Sequence, residues 1–172
     1  MEPRLKNLLE IKRIQKAVGT FAWYSRATDS IMAKTLNSIA GRQSKATEQL
    51  KEELHQFLDY CATHPDARVR YVASDMILAL HSDASHLSEP ESKSRAAGHF
   101  YLTKNNNKDM NNGAVVTLSK IIKHVMGSAS ESEVAALFYN CKAAIPLRLA
   151  LHEMGHQQPK TPTVTDNSTA EG

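Results

Sequence analysis

Through the first 63 residues, apolar positions recur every three or four residues with lysine and arginine between them, the spacing of amphipathic helices. Leu5, Leu8, Leu9, Ile11, Ile14, Ala17 and Val18 mark a first helix. In DSIMAKTLNSIAG, Ile31, Met32, Leu36 and Ile39 mark a second that stops at Gly41. Leu50, Leu54, Phe57, Leu58 and Cys61 form the stripe of a third, and Pro65 forbids its continuation.

The pattern then shortens into apolar runs separated by turn residues. RVRYVA (68–73), ILALHSD (77–83), GHFYLT (98–103), AVVTLSK (114–120) and IIKHVM (121–126) are predicted strands. SEPESKS is a turn, and the asparagine-rich KNNNKDMNNG is a surface loop too polar to pack. A long helix is expected from Ser130, with Val134, Leu137, Phe138, Cys141, Ile145 and Leu149 on one face. Pro146 should kink it and Gly155 should end it. TVTDN follows as a short strand, and STAEG opens another helix. Strands, a long helix and a further strand give an α/β (α+β) layer. The expected division is a helical segment over 1–66 and a mixed sheet with its helix over 67–172.

Composition changes this picture little. The chain has 172 residues, 41% of them hydrophobic, enough for one domain with an appendage. No run approaches the roughly 20 apolar residues that span a bilayer, and the charged N-terminus has no secretory core, so no membrane partner is expected. Cys61 and Cys141 lie far apart without a CxxC, which suggests neither a disulfide framework nor a cysteine zinc site. A reducing, intracellular setting (cytoplasmic or nuclear) follows. The net charge of +3 favours a polyanionic partner only slightly.

Candidate chemistry rests on three carboxylates. Asp83 closes an apolar strand, Glu133 lies in the first turn of the long helix, and Asp166 closes TVTD. Acids from separate elements can converge on Mg²⁺ or Mn²⁺, which take oxygen ligands. Singly, each has a plain structural role: Asp83 as a turn residue, Asp166 as a helix cap, and Glu133 in a capping box with Ser130. His152, Glu153 and His156 spell H-E-x-x-H, a zinc-peptidase signature. Gly155 and Pro159 set His156 beyond the helix end and leave few residues for a third ligand, so the motif reads as a helix terminus. His81, His86 and His99 are a second conceivable metal group. Trp23 and Tyr24 read first as the core of a helical bundle and second as a platform for nucleic-acid bases. No glycine-rich phosphate loop or nucleophile elbow is present.

The ordered series AVGTFAWYSRATDSIMAK, LDYCATHPDA, LALHSDASHLSEPESKSRAAGHFYL, GSASESEVAALFYNCKAAIPLR and TVTDNSTA resembles the ribonuclease H region of copia-type LTR retrotransposon polyproteins, with the helices that connect it to reverse transcriptase. The resemblance covers nearly the whole chain. It implies an incomplete ribonuclease H-like mixed sheet in which Asp83, Glu133 and Asp166 hold catalytic Mg²⁺ (or Mn²⁺) and an RNA–DNA hybrid or other nucleic acid is the partner. Glu131 is the competing glutamate. Glu133 directly precedes the apolar run Val-Ala-Ala-Leu, as the family's glutamate does, and is favoured. The family's fourth carboxylate lies beyond a helix that follows V-T-D-N, and six residues follow Asp166 here. The resemblance therefore implies a truncated remnant of a polyprotein with incompletely bound metal and weak or no nuclease activity. The alternative is a non-catalytic nucleic-acid-binding or interaction remnant.

Overall fold

The computed structural model describes residues 8–105 and 112–166. Leu5 and the expected STAEG helix lie outside them. The chain divides into two compact units, Met1–Val69 and Arg70–Gly172.

The first unit is helical, with α1 (Leu8–Ala27), α2 (Met32–Arg42) and α3 (Glu48–Thr63). Its core is Ile14, Met32, Leu36, Ile39, Ala46, Leu50, Leu54 and Phe57, with Phe21 packed edge-on against Phe57 at 5.1 Å. Thr47 caps α3 by accepting from the Leu50 N–H. Lys51 pairs with Glu10 at 2.6 Å and Arg42 with Glu53. Two expectations fail here. Leu8 and Leu9 are exposed, and so is Trp23, at 73%. Trp23 lies nine residues from Ile14, about half a helical turn off the buried face at roughly 100° per residue. It is therefore not part of the bundle core.

The second unit is an α/β layer: β1 (Ile77–Glu89), β2 (Lys93–Thr103), β3 (Ala114–Ile121), α4 (Ala129–Glu153) and β4 (Thr163–Val164). The sheet order is β3-β2-β1-β4. The first three strands are antiparallel neighbours, and β4 runs parallel to β1 after the α4 crossover. RVRYVA and IIKHVM are not strands beyond Ile121. The former is held by scattered bonds instead: Asn112 accepts from the Val72 N–H and donates to Val72 O and Leu102 O, the Gly113 N–H donates to Arg70 O, and the Tyr71 hydroxyl donates to Ala114 O. That asparagine is only 7% exposed, so the polar loop does pack where its amide replaces ladder bonds.

Helix α4 turns the opposite face inward from the one its large residues mark. Ser132, Ala136, Asn140, Ala144 and Leu151 are buried, whereas Val134, Phe138, Ile145 and Leu149 are more than half exposed. The reason lies in the sheet. Small residues let the helix approach closely, and the Asn140 amide donates to Ser82 Oγ and Ala97 O at 2.9 and 2.8 Å. A Cβ at Gly98 would run into Asn140 Oδ1, so glycine is needed there. The helix continues through Pro146. Its end is a Schellman-type turn, with Gly155 at φ +92 and the His156 N–H donating to Leu151 O. By length and composition α4 is apolar enough to cross a membrane, contrary to the sequence expectation. Here one side of it packs on the sheet.

Burial separates two phenylalanines. Phe100, fully buried under α4, should cost about 3–5 kcal/mol on truncation to alanine. Phe138→Ala should change the stability of the dilute chain by no more than about 0.5 kcal/mol. Urea denaturation followed by circular dichroism measures both, and equal costs would contradict the orientation of α4.

Candidate metal centre

The parallel register brings two of the acids together. His81 pairs with Val164, so two residues further along each strand Asp83 comes beside Asp166. The short β4 is fixed from behind. Gln158 accepts from the Leu78 N–H and donates to Met76 O, at 3.0 and 2.8 Å. Arg148 of α4 donates to Gln158 O, Pro159 O and Thr161 Oγ1. These bonds clamp the α4–β4 connection onto the start of β1 and so place the residue that follows the strand.

The N-terminus of α4 supplies the third acid and settles which glutamate that is. Ser128, not Ser130, is the N-cap: its hydroxyl accepts from the Glu131 N–H at 3.1 Å, and Glu131 Oε2 accepts from the Gly127 N–H at 2.6 Å. Glu131 is thus the glutamate committed to the helix end. Glu133 is not part of a capping box. It reaches β1, where Oε1 accepts from the Ala84 N–H at 3.0 Å. One ligand oxygen each from Asp83, Glu133 and Asp166 then lies within 4.8 Å of the others.

Three carboxylates at this spacing repel one another, and the cost shows at the least exposed of them. Burial pushes the Glu133 carboxyl above its ordinary value of 4.5, the Ala84 N–H pulls it partly back, and the charges of Asp83 and Asp166 push it up again. Glu133 Oε2 is one of three buried side-chain atoms without a hydrogen-bond partner among the described residues. The donor set fits a hard divalent cation: all ligands are carboxylate oxygens, and the orphaned oxygen would gain a partner.

Neighbouring polar contacts hold the frame. At the bulge where the β1–β2 register shifts, His86 Nδ1 meets Ser132 Oγ at 2.9 Å, and Ser132 Oγ donates to Ser94 Oγ at 3.0 Å. Arg95 and Glu89 form a buried pair at 2.7 Å. The histidines do not assemble into a metal group. His81 Nε2 bonds Tyr101 Oη, His99 Nε2 donates to Asn112 O, and no third ligand joins them among the described residues. Burial, with His99 beside it, lowers the His81 pKa and favours the neutral ring. His156 lies beyond the end of α4, and among the described residues no third ligand joins it and His152. In the helical unit a cavity of about 540 Å³ is lined by Asp29, Tyr60 and His64. The Asp29 carboxylate there is occupied by the Ile31 N–H and Tyr60 hydroxyl, as a turn cap.

A raised pKa for Glu133 means the folded state holds its proton more tightly than the unfolded chain. The resulting penalty is absent below the ordinary glutamate value, grows as pH rises through it, and is complete above the raised one. Glu133→Gln keeps an acceptor for Ala84 N–H and removes the charge. Without metal it should raise the melting temperature at pH 7, with the gain shrinking toward pH 4. A variant less stable than the parent at both pH values would contradict the strained acidic cluster. The geometry stands without a relative to lean on: compared with protein families, curated proteins and solved structures, the chain matches none.

Proposed function

We propose that the second unit is a ribonuclease H-type metal site, directed at the RNA strand of RNA–DNA hybrids and working in an intracellular compartment. The observation that carries this reading is the convergence of Asp83, Glu133 and Asp166 within 4.8 Å. The order of three strands, a long helix and a fourth strand agrees with the copia-type resemblance, and both cysteines are free.

Asp83, Glu133 and Asp166 would hold Mg²⁺ or Mn²⁺, and the bound ion would supply the Lewis acid for phosphodiester hydrolysis. The chain's part is orientation. The Ala84 N–H fixes one oxygen of Glu133 and leaves the other without a protein partner, while Arg148 and Gln158 hold the approach to Asp166. Three carboxylates among the described residues hold one ion better than a pair, so hydrolysis is expected to be slow.

Thermal unfolding with added Mn²⁺ tests the site. At about 100-fold excess over Kd the ion should stabilise the parent by ~2.7 kcal/mol. Asp83→Asn should abolish that gain, together with slow, metal-dependent cleavage of the RNA strand of a labelled hybrid. If Mn²⁺ moves neither protein's melting temperature, the nuclease reading is wrong.

One observation favours a second, non-catalytic reading. Trp23 is exposed on α1, a helix that also carries exposed Lys12, Arg13, Lys16 and Arg26. An indole among cations can stack on bases while the cations meet phosphates. On this reading hybrid binding persists in EDTA and drops about tenfold in Trp23→Ala, as one stacked base is worth ~1–3 kcal/mol. Fluorescence anisotropy with a labelled hybrid separates the two readings.

A further inference from the structure

The α1–α2 turn and the end of α3 form the cavity of about 540 Å³ in the helical unit, and its lining carries a buried charge without a counter-ion. Asp29 is 5% exposed, while Ile31, His64 and Pro65 around it face solvent. As a turn cap the carboxylate uses one acceptor position on each oxygen. Oδ1 takes the Ile31 N–H at 3.0 Å, and Oδ2 takes the Tyr60 hydroxyl at 3.3 Å, longer than an ordinary O–H···O bond. An ionised carboxylate has about four such positions, so both oxygens keep acceptor capacity. Among the described residues no lysine, arginine or histidine pairs with Asp29, although buried carboxylates are ordinarily paired. The uncompensated charge is felt nearby: burial first, and then Asp29, push the Tyr60 hydroxyl and the Cys61 thiol above their ordinary values.

The wall beside this charge is aromatic and fixed. Tyr60 and His64 stack with ring centroids 4.4 Å apart and planes at 22°. The Tyr60 carbonyl can only accept, so His64 Nδ1 donates the 3.0 Å bond between them, which sets the tautomer and holds the ring in place. A lone carboxylate is a poor site for a divalent metal, and no metal-ligating group of three side chains among the described residues includes Asp29. An anion would meet a buried like charge. An organic cation meets neither obstacle. A guanidinium or amidinium offers two parallel N–H donors to the two oxygens of a carboxylate, and a flat cation also lies well against aromatic rings.

We propose that this cavity binds a small organic cation of the amidinium or guanidinium type, its charged end on Asp29 and its body along the Tyr60–His64 stack. On the lining Asp66 adds a second negative charge and Arg68 a positive one, and Arg68 forms no ion pair with Asp29. The site lies within the helical unit and is independent of the three carboxylates of the second unit.

Benzamidine, an amidinium on a phenyl ring, is the probe. Titrated into the nitrogen-15-labelled full chain up to about 20 mM, it should shift the amide resonances of Ile31, Tyr60 and His64 saturably, with a Kd on the order of 1 mM, as a ligand of its size supports. Asp29→Asn keeps an acceptor for the Ile31 N–H and removes the charge, and should weaken binding tenfold or more. Tyr60→Phe keeps the charge and the ring and releases Oδ2, so it should bind at least as tightly as the parent. Benzyl alcohol, the same ring without the charge, should leave the three amides unmoved. The amide spectra themselves report whether each variant is folded, and the Tyr60→Phe and benzyl alcohol arms decide the matter if Asp29→Asn does not fold. The proposal is overturned by any of four results: no saturable shift, an affinity unchanged in folded Asp29→Asn, binding lost in folded Tyr60→Phe, or benzyl alcohol binding as well as benzamidine. Binding that emerges only in Arg68→Ala would also overturn it, in favour of Arg68 as the cavity's own cation.

Discussion

Strand β1 is hydrogen-bonded on both edges, antiparallel to β2 and parallel to β4, and this double pairing governs the second unit. Its Leu78 and Leu80 are almost wholly buried and join Phe100 in the core beneath α4. The buried segment passes directly into the acidic site, because Asp83 lies three residues beyond Leu80. A parallel partner needs a crossover, and α4 is that crossover. Pairing β4 with β1 therefore requires the helix that also carries Glu133.

The pairing with β4 is short, only two residues on each strand. So few ladder bonds cannot fix the register alone, and side chains add to them. Gln158 takes the place of a strand neighbour for Leu78 N–H and Met76 O, and Arg148 gathers three acceptors from the connection. Neither residue touches the carboxylates. Their contribution is that Asp166 arrives opposite Asp83 rather than a residue away, where the alternation of a strand would turn it to the other face. At Glu133, the least exposed of the three, burial first and then the charges of Asp83 and Asp166 push the carboxyl above its ordinary pKa. A structure that holds such a cluster carries a cost that a bound cation would relieve.

Helix α4 divides its duties by face. The sheet side is built of serine, alanine and asparagine until Leu147 and Leu151 join the core near its end, and its affinity for the sheet comes from close approach and from Asn140 bonding across to β1 and β2. Val134, Phe138, Ile145 and Leu149 face away. Hydrophobic patterning assumes that large side chains mark the buried side, which holds when a helix packs at the ordinary distance. A glycine at 98 and small residues along α4 permit a closer contact, and the assumption fails.

Much was legible in the sequence. The three N-terminal helices follow from their spacing, β1, β2 and β3 from apolar runs between turn residues, and the end of α4 from Gly155, whose positive φ few other residues tolerate. These are local preferences, and the chain states them locally. The acids Asp83, Glu133 and Asp166 could be picked out by their positions at element ends, but each also had an ordinary local role. Only the tertiary structure decided among those roles. It committed Glu131 to the helix cap, which left Glu133 for β1. It set Asp166 beside Asp83 through a parallel register no local pattern encodes. It also turned Trp23 and the apolar stripe of α4 outward and drew Asn112 in from a polar loop. The Glu131 cap joins near neighbours, but the contacts that place Glu133 on Ala84 and Asn112 on Val72 join residues distant along the chain, and their strength depends on which partner is within reach.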